Sequence, residues 1–490
     1  MKNIKRLLIV GLVLAGIFSC KKFLSVDPPY TQDAENYFKT PEDYDRALVG
    51  AYDLLQTSFM SLWIGEIASD NAIAGGESAN DSQGLHQIDA MTHGGVNNDL
   101  RSVFRWNYVG ISRANYILEN KDNIDFPEKA HMLAEAKFLR AYYYFELVKF
   151  FGDVPLVIDK RLGIEEVRSI DRSPKADVYA QIEKDLKEAY PVLNAVAGQK
   201  GRATKGAAQA LLGKVYLYQS KWTEADDMFD DVIGSGLYSL HPVYTELFDV
   251  AHENNTETVF DIQYSGLEGG GYGCLVCLEG NAAPGFQGIR QYNGPVYGDG
   301  NSYNLPTQEL YNFFPAGDPR RAATILDIEA FIAAQPNPGA ITYAIGAGGH
   351  TGYYNNKYIK RQGEVGLPDN DLTSPVNYRV IRYADVLLMA AEAYARKASP
   401  DENKAKTYLN MVRKRVNLSD VTSAGQTLVS DIWSERRLEL ACEGHRFFDL
   451  VRTKQATSMT GFVSGKHELF PIPQVEIDLA GGNWKQNPNY

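Results

Sequence analysis

Residues 135–145 read Glu-Ala-Lys-Phe-Leu-Arg-Ala-Tyr-Tyr-Tyr-Phe, a run dense in alanine, leucine and tyrosine. The run lies in a segment from about Pro127 to Phe151 whose composition predicts a long helix. Small residues let a second helix approach while aromatic rings fill the groove between the two. Residues 136–147 are therefore expected to form half of a helical pair. Arg140 stands beside acidic residues on this helix, which favours a structural ion pair.

Helical signals continue on both sides of this segment. Thr40-Pro41-Glu42-Asp43 is typical of an N-cap, with proline in the first turn and an acid three residues after the threonine. Apolar residues recur at helical spacing after it. The other predicted helices cover 98–119, about 173–193, 204–219, 222–233, 378–397, 401–416, 426–441 and 443–452.

Two of these helical pairs resemble the tetratricopeptide pattern, in which a small residue and aromatic rings fit two helices together. The residues that carry the pattern are Leu212, Gly213, Tyr216, Trp222, Ala225 and Phe229 in one pair, and Ala390, Ala393, Tyr394, Ala405 and Leu409 in the other. The prediction is a mostly α fold: a tetratricopeptide-like scaffold of helical pairs with long irregular loops and a few short strands.

Three irregular segments interrupt the helices. We name them in chain order: the first loop segment is Gly75–Asp99, the second is Tyr264–Tyr311 and the third is Gly339–Asn356. The second has 11 Gly, seven aromatic residues, one Arg and no Lys within 48 residues. Long loops on a rigid scaffold are usually functional or disordered, and aromatic richness argues against disorder.

The N-terminus has the features of an export signal. Lys2, Lys5 and Arg6 precede a 12-residue apolar run, 7–18, which is too short to span a bilayer. Ser19-Cys20 follows, as a lipoprotein signal peptidase requires. We expect residues 1–19 to be a signal peptide and Cys20 to be lipidated, rather than a buried N-terminal helix.

Composition limits the classes of function. The net charge of -12, from 49 Lys+Arg and 61 Asp+Glu, argues against nucleic-acid binding. The chain has no His-Glu-x-x-His, Gly-x-Ser-x-Gly or phosphate-loop motif, so no catalytic residue, cofactor or metal is predicted. Cys274 and Cys277 are either a local disulfide or two loop thiols, and Cys442 is expected in the core of a helix.

Motifs spread along the chain fit one family. They are Cys20 with Phe-Leu-Ser-Val-Asp-Pro-Pro at 23–29, residues 135–145 with Phe-Phe-Gly-Asp-Val-Pro-Leu at 150–156, Gly-Asp-Pro-Arg at 317–320, 382–388, 435–440, 443–450, Leu-Phe-Pro-Ile-Pro at 469–473 and Gln-Asn-Pro-Asn-Tyr at 486–490. In these motifs the chain resembles the SusD/RagB outer-membrane nutrient-binding lipoproteins of Bacteroidota, over nearly its whole length.

The resemblance implies a single SusD-like domain over 20–490. Its helical scaffold would cover about 30–260 and 375–455, and its ligand-binding loops about 264–356. It further implies a lipid-anchored protein at the outer surface of the outer membrane. Such a protein captures an oligosaccharide or polysaccharide, performs no chemistry, and delivers the glycan to a TonB-dependent SusC-like transporter. The alternatives are an all-helical glycoside hydrolase and a periplasmic tetratricopeptide adaptor.

Ligand residues are expected in the loop segments, because aromatic rings stack on the C–H faces of sugars while planar polar groups pair with hydroxyls. Tyrosine outnumbers tryptophan, 30 to 5, and only Trp63 lies outside an expected core position or chain terminus, so we expect tyrosine to be the stacking platform. An alternative for each ring is that it packs beneath a loop and holds it in place. The predicted ligand-binding residues are Asp70, Asn98, Tyr272, Arg290, Tyr292, Tyr297, Tyr303 and Tyr353.

Overall fold

The computed structural model describes residues 37–158, 160–266, 271–272, 274–275, 279–364 and 371–490. The predicted signal peptide, Cys20 and Cys277 lie outside the described residues. Helices predominate and the strands are few and short, which confirms the mostly α prediction. No described helix is both long enough and apolar enough to cross a membrane.

The first helix begins where local capping chemistry predicts. Thr40 forms a capping box with Asp43, and Pro41 occupies the first turn of the first helix. The helices of the described chain are α1 Pro41–Asp53, α2 Phe59–Ile67, α3 Gln83–Asp89, α4 Asn98–Glu119, α5 Lys129–Phe151, α6 Ile164–Val167, α7 Lys175–Ala189, α8 Lys205–Tyr218, α9 Trp222–Gly234, α10 Ala283–Gln287, α11 Gln308–Phe313, α12 Arg320–Thr324, α13 Ile328–Ala333, α14 Tyr383–Arg396, α15 Glu402–Arg415, α16 Gly425–Leu440, α17 Arg446–Arg452 and α18 Gln474–Leu479.

The long helices pack in one continuous series, in which each helix contacts the next. Helix α4 packs on α5, α5 on α7, α7 on α8, and α8 on α9. Helix α9 then contacts α14, which also packs on α15 and α16. The two predicted tetratricopeptide-like pairs, α8–α9 and α14–α15, are therefore adjacent in space through α9 and α14.

Four two-stranded sheets lie among the described residues. Strand β1 (Ala72–Gly75) pairs antiparallel with β5 (Tyr303–Pro306), and β6 (Ile325–Asp327) with β7 (Tyr353–Asn355). Strand β3 (Ile289–Arg290) pairs parallel with β4 (Asp299–Gly300). The fourth sheet is antiparallel and joins β2 (Thr258–Ile262) to β8 (Tyr378–Arg382).

Strand β8 corrects one prediction, because residues 378–382 were expected to begin a helix. The sequence Tyr-Arg-Val-Ile-Arg contains β-branched residues and finds a long-range partner in β2, so it is extended and the helix begins at Tyr383. Two smaller corrections concern local structure. The first loop segment contains helix α3, and Cys442 is buried as expected but lies beyond the end of α16 with a φ of 69°.

Two buried arginines make structural ion pairs, one of them Arg140 as expected. The Arg140 guanidinium contacts both Asp185 oxygens, at 2.8 and 2.7 Å, and links α5 to α7. Arg436 on α16 contacts Asp385 on α14 at 2.6 Å. These pairs join helices that are neighbours in the scaffold, so they act in packing rather than in ligand binding.

Candidate functional site

The three loop segments meet at one place, which we call the loop junction and define by Gly76, Glu77, Arg290, Ser302 and Ala347. The Gly76 N–H donates to the Ser302 carbonyl oxygen at 2.8 Å, which ties the first segment to the second. The Ala347 N–H donates to the Glu77 carbonyl oxygen at 2.8 Å, which ties the third segment to the first. The sequence separately predicted three functional segments, and the fold brings them together.

Glycine is required where these backbones cross. A Cβ added at Gly346 would lie 2.0 Å from the Gly76 carbonyl oxygen, and one added at Gly348 would lie 2.2 Å from the Gly75 carbonyl oxygen. Neither distance is compatible with a side chain. The Gly content of the third segment therefore permits close backbone contact with the first.

One ion pair marks the surface of the junction. The Arg290 guanidinium lies 3.0 Å from a Glu77 carboxylate oxygen, with the Arg290 side chain 17% exposed and the Glu77 side chain 65% exposed. The Arg290 backbone N–H donates to Ser302 Oγ at 3.0 Å, which fixes the strand from which the guanidinium extends. Within the described residues, the guanidinium makes no further hydrogen bond, so it retains free donors at the surface.

A row of aromatic rings leads to this ion pair. Tyr272, which is 57% exposed, meets Phe286 edge to face at a centroid distance of 6.2 Å. Phe286 meets Tyr303 at 6.1 Å, and Trp63 packs beneath both, at 4.9 Å from Phe286 and 6.3 Å from Tyr303. The row therefore runs from exposed Tyr272, through half-buried Phe286, to Tyr303, which is 7% exposed at the junction.

Tyr303 joins the aromatic row to the charged groups. A Cβ added at Gly76 would lie 2.6 Å from Tyr303 Cε1, so the tyrosine ring packs against the Gly76 backbone. Burial and the nearby Asp81 carboxylate raise the pKa of the Tyr303 hydroxyl. The hydroxyl therefore stays protonated and remains a donor.

Acidic groups accompany the row at both ends. Near Tyr303, burial raises the pKa of Asp99 to about 6, so its carboxyl is partly protonated just below neutral pH. At the other end, the Tyr272 hydroxyl donates to Asp371 Oδ2 at 3.2 Å, and Lys360 Nζ lies 3.2 Å from Asp371 Oδ1. Acidic groups thus flank the aromatic row at its Tyr303 end and at its Tyr272 end.

Four of the five remaining predicted ligand-binding residues, three in the loops and one at the start of α4, have different surroundings. Tyr292 and Tyr297 are each 7% exposed and belong to a small apolar cluster with Phe331 packed against it. Tyr353, at 8% exposed, stacks on Tyr311 with a centroid distance of 4.5 Å. These three rings pack beneath loops, while Asn98 is the exposed first residue of α4; their expected ligand contact stays a prediction.

Asp70 is held by arginines of the C-terminal helices. Arg446 contacts its two carboxylate oxygens at 2.7 and 2.8 Å, and Arg437 lies 3.2 Å away. These contacts lower the pKa of Asp70 despite its burial. Such a bidentate pair leaves the carboxylate few free acceptor positions, and its ligand contact also stays a prediction.

Sequence reasoning missed three residues of this surface and misplaced a fourth. Glu77 and Asp81 stand in the predicted first segment, and Phe286 is one of the aromatic residues of the second, so composition marked their regions but not the residues. Trp63 was expected to be loosely placed and is instead in α2, 5% exposed, beneath Phe286 and Tyr303.

Cys274 is disulfide-bonded, which is one of the two states expected of it.

The donor groups do not form a metal site. In the described ranges no group of three or more His, Cys, Asp or Glu side chains is placed to hold a metal ion.

Two sequence profiles cover most of the chain. One, described as the SusD family, matches residues 230–490, and one described as "Starch-binding associating with outer membrane" matches residues 22–217. SusD-like protein P2 of Formosa agariphila is 27% identical, over 93% of this chain and 94% of that protein.

Solved structures share the fold. A laminarin binding SusD-like protein is 35% identical and superposes with a TM-score of 0.84, covering 92% of this chain and 100% of that chain. Surface glycan-binding protein A from Bacteroides thetaiotaomicron, in complex with laminarihexaose, is 27% identical with a TM-score of 0.83, covering 92% of this chain and 100% of that chain. The profile match over more than half of the chain and the shared fold show that this chain belongs to the SusD family.

Proposed function

We propose that this protein binds a glycan along the aromatic row, with the loop junction as the polar end of the binding surface. The observation that carries the proposal is the continuous path from exposed Tyr272 through Phe286 to Tyr303, beside Arg290 and Glu77. An exposed ring such as that of Tyr272 stacks on the apolar face of a sugar unit, and the other two rings hold it in place from beneath. The guanidinium and carboxylate pair with vicinal hydroxyls as planar donors and acceptors.

Laminarin is the first glycan to test. The relative that is 35% identical is described as laminarin binding, and a second structure of the same fold holds laminarihexaose. An extended glycan suits this surface because one sugar unit can stack on exposed Tyr272 while another reaches Arg290 and Glu77 at the junction. We therefore propose an oligosaccharide or polysaccharide ligand rather than a single sugar unit.

We further propose that the mature protein is a lipid-anchored binding component and not an enzyme. Ser19-Cys20 after the apolar run supports lipidation at Cys20, and the description of the matching profile supports association with the outer membrane. The relatives are named as binding proteins. The bound glycan would then be delivered to a SusC-like transporter at the cell surface.

A glycan array tests the binding proposal on soluble protein beginning at Lys21. We expect binding to laminarin or another glycan on the array, with no shortening of that glycan after prolonged incubation. Absence of binding to every glycan contradicts the binding proposal, while release of shorter products contradicts the non-enzymatic one. Protease treatment of whole cells separately tests surface exposure, because a periplasmic protein would be protected.

A further inference from the structure

A cavity lies at the ends of helices α5, α7 and α8, and residues from α17 to Leu469 close it. Its volume is about 790 Å³, and it shares no lining residue with the loop junction or the aromatic row. Small-ligand pockets commonly measure about 300–1,000 Å³. The cavity is thus large enough for a ligand, and helix ends together with the segment that follows α17 form it, rather than the three loop segments.

Its lining is rich in cations. Lys149, Lys175, Arg452 and Lys454 line the cavity, against one lining carboxylate, that of Glu468. Both Glu468 oxygens accept the Gly465 N–H, at 3.0 and 2.8 Å, so this carboxylate is engaged by its own turn.

Two of the four cations are already neutralised. Lys149 Nζ lies 2.6 Å from Glu146 Oε1, and Arg452 contacts Glu392 at 2.8 Å and Asp449 at 2.7 Å. Lys175 and Lys454 form no ion pair with any residue that the structure describes. Two positive charges are therefore available to a ligand.

Two phenol hydroxyls also lack protein partners. Tyr179 and Tyr218 line the cavity, and neither hydroxyl makes a hydrogen bond within the described part of the chain, although Asp449 and Arg452 lie near that of Tyr218. Burial raises the pKa of both, so they remain protonated donors. The Tyr218 ring is held edge to face by Phe145, at a centroid distance of 5.1 Å, which fixes the direction of the hydroxyl.

The rest of the lining suits a hydroxylated ligand. Gln219, Ser220, Thr457 and Ser464 supply neutral polar groups, and Phe448 and Phe462 supply apolar faces. A phosphate or sulfate ion alone would use the charges but leave the rings and amide uncontacted. A sugar ring that carries a carboxylate would use all three kinds of group.

We propose that this cavity is a binding site for a uronic acid unit, with its carboxylate between Lys175 and Lys454 and its hydroxyls toward Tyr179 and Tyr218. The site is separate from the neutral-glycan surface proposed above and does not depend on it. It would let one scaffold recognise an acidic sugar at one place and a neutral glycan at another.

The probe is D-glucuronate, with D-glucose as its neutral control, because the two differ at C6 by a carboxylate in place of a hydroxymethyl group. Saturation-transfer NMR on the mature chain measures both at low and high salt. We expect at least tenfold weaker glucuronate binding in the variant K175Q/K454Q, and binding that falls as salt screens the charges. The control K121Q/K205Q removes two exposed lysines elsewhere and should bind as the parent does.

A second variant tests the hydroxyls without disturbing packing. Tyr179→Phe with Tyr218→Phe keeps both rings and should weaken glucuronate several-fold while the thermal unfolding midpoint changes little. Equal binding of D-glucose and D-glucuronate overturns the proposal, as does unchanged glucuronate binding in K175Q/K454Q. Arg290→Ala should leave glucuronate binding intact, and its loss in that variant would place the sugar at the junction and overturn the proposal.

Discussion

Arg290 determines the charge distribution at the loop junction. Its partner Glu77 is 65% exposed, and such surface ion pairs contribute about 0–1 kcal/mol to stability because water screens them. The pair can therefore open at little cost when a hydroxylated ligand replaces one partner. The guanidinium is available for binding because its native contact is weak.

Arg290→Ala should lower glycan affinity by about 1.5–3 kcal/mol, the range for hydrogen bonds to charged groups, while leaving the free energy of unfolding within about 1 kcal/mol of the parent value. Isothermal titration and chemical denaturation measure the two quantities. The matched control is Arg168→Ala, which removes an arginine from another exposed pair, with Glu165. Equal losses of affinity in both variants would contradict a specific role for Arg290.

His93 is a buried group with a pH-dependent contribution. Burial and the neighbouring His467 lower its pKa to about 4, from an ordinary value of 6.5. His93 Nε2 lies 2.9 Å from the Tyr490 hydroxyl oxygen. That hydroxyl donates its proton to the Leu469 carbonyl oxygen. The fold therefore holds His93 in its neutral form against the C-terminus.

His93 should make the fold less stable at acidic pH, because the unfolded chain binds a proton at this residue more readily than the folded chain does. Above pH 6.5 the imidazole is neutral in both states, whereas between pH 6.5 and 4 the unfolded chain takes up the proton and the folded chain does not. Stability should fall over that range by at most about 3 kcal/mol from this group. His93→Phe cannot protonate, so denaturation at pH 7 and pH 4.5 should show a smaller loss than in the parent; an identical loss would contradict the assignment.

At the scale of elements, the loop junction depends on backbone crossings that tolerate no side chain. Gly346→Ala places a Cβ 2.0 Å from the Gly76 carbonyl oxygen, so the third segment must move away from the first. We expect the variant to fold, because the crossing is outside the helical scaffold, and to bind glycan at least tenfold more weakly. Gly339→Ala is the control, since nothing lies within 4 Å of its added Cβ. Similar affinities in the two variants would contradict the structural role of the crossing.

Local sequence signals predicted the helices, but they could not predict contacts between segments far apart in the chain. Helices such as α4, predicted and found at 98–119, depend on capping and on apolar spacing that are local in the chain. Strand β8 was mistaken for helix because its partner β2 is more than a hundred residues away. For the same reason sequence located the loop segments but not their crossing, and it could not tell exposed Tyr272 from buried Tyr292.

For the whole molecule, a network of buried ion pairs fastens the loop-bearing region to the C-terminal helices. Arg320 is fully buried and contacts Asp318 at 2.8 Å, Glu435 at 2.5 Å and Glu439 at 3.1 Å. Arg382 contacts Glu439 in turn, at 3.0 Å. These contacts span the chain from the middle strands to α16, so the position of the loops depends on them.

Arg320→Met removes the charge and leaves three buried carboxylates with one partner fewer. We expect a loss of about 3–5 kcal/mol in the free energy of unfolding, the range for breaking a buried pair. Chemical denaturation measures it, with Arg168→Met on the surface as the control, expected to change stability by less than about 1 kcal/mol. A loss below 1 kcal/mol for Arg320→Met would show that the network does not support the fold.

Calorimetric titration of one double variant shows whether glycan binds along the aromatic row at the loop junction. The variant is Tyr272→Ala with Arg290→Ala, titrated with laminarihexaose or the best ligand from the array. The control is Leu479→Ala with Arg168→Ala, which removes an apolar residue of equal exposure, 58% against 57%, and an exposed arginine. We predict that the first variant loses measurable binding while both keep the parent's unfolding midpoint; parent-like affinity in the first variant would contradict the claim.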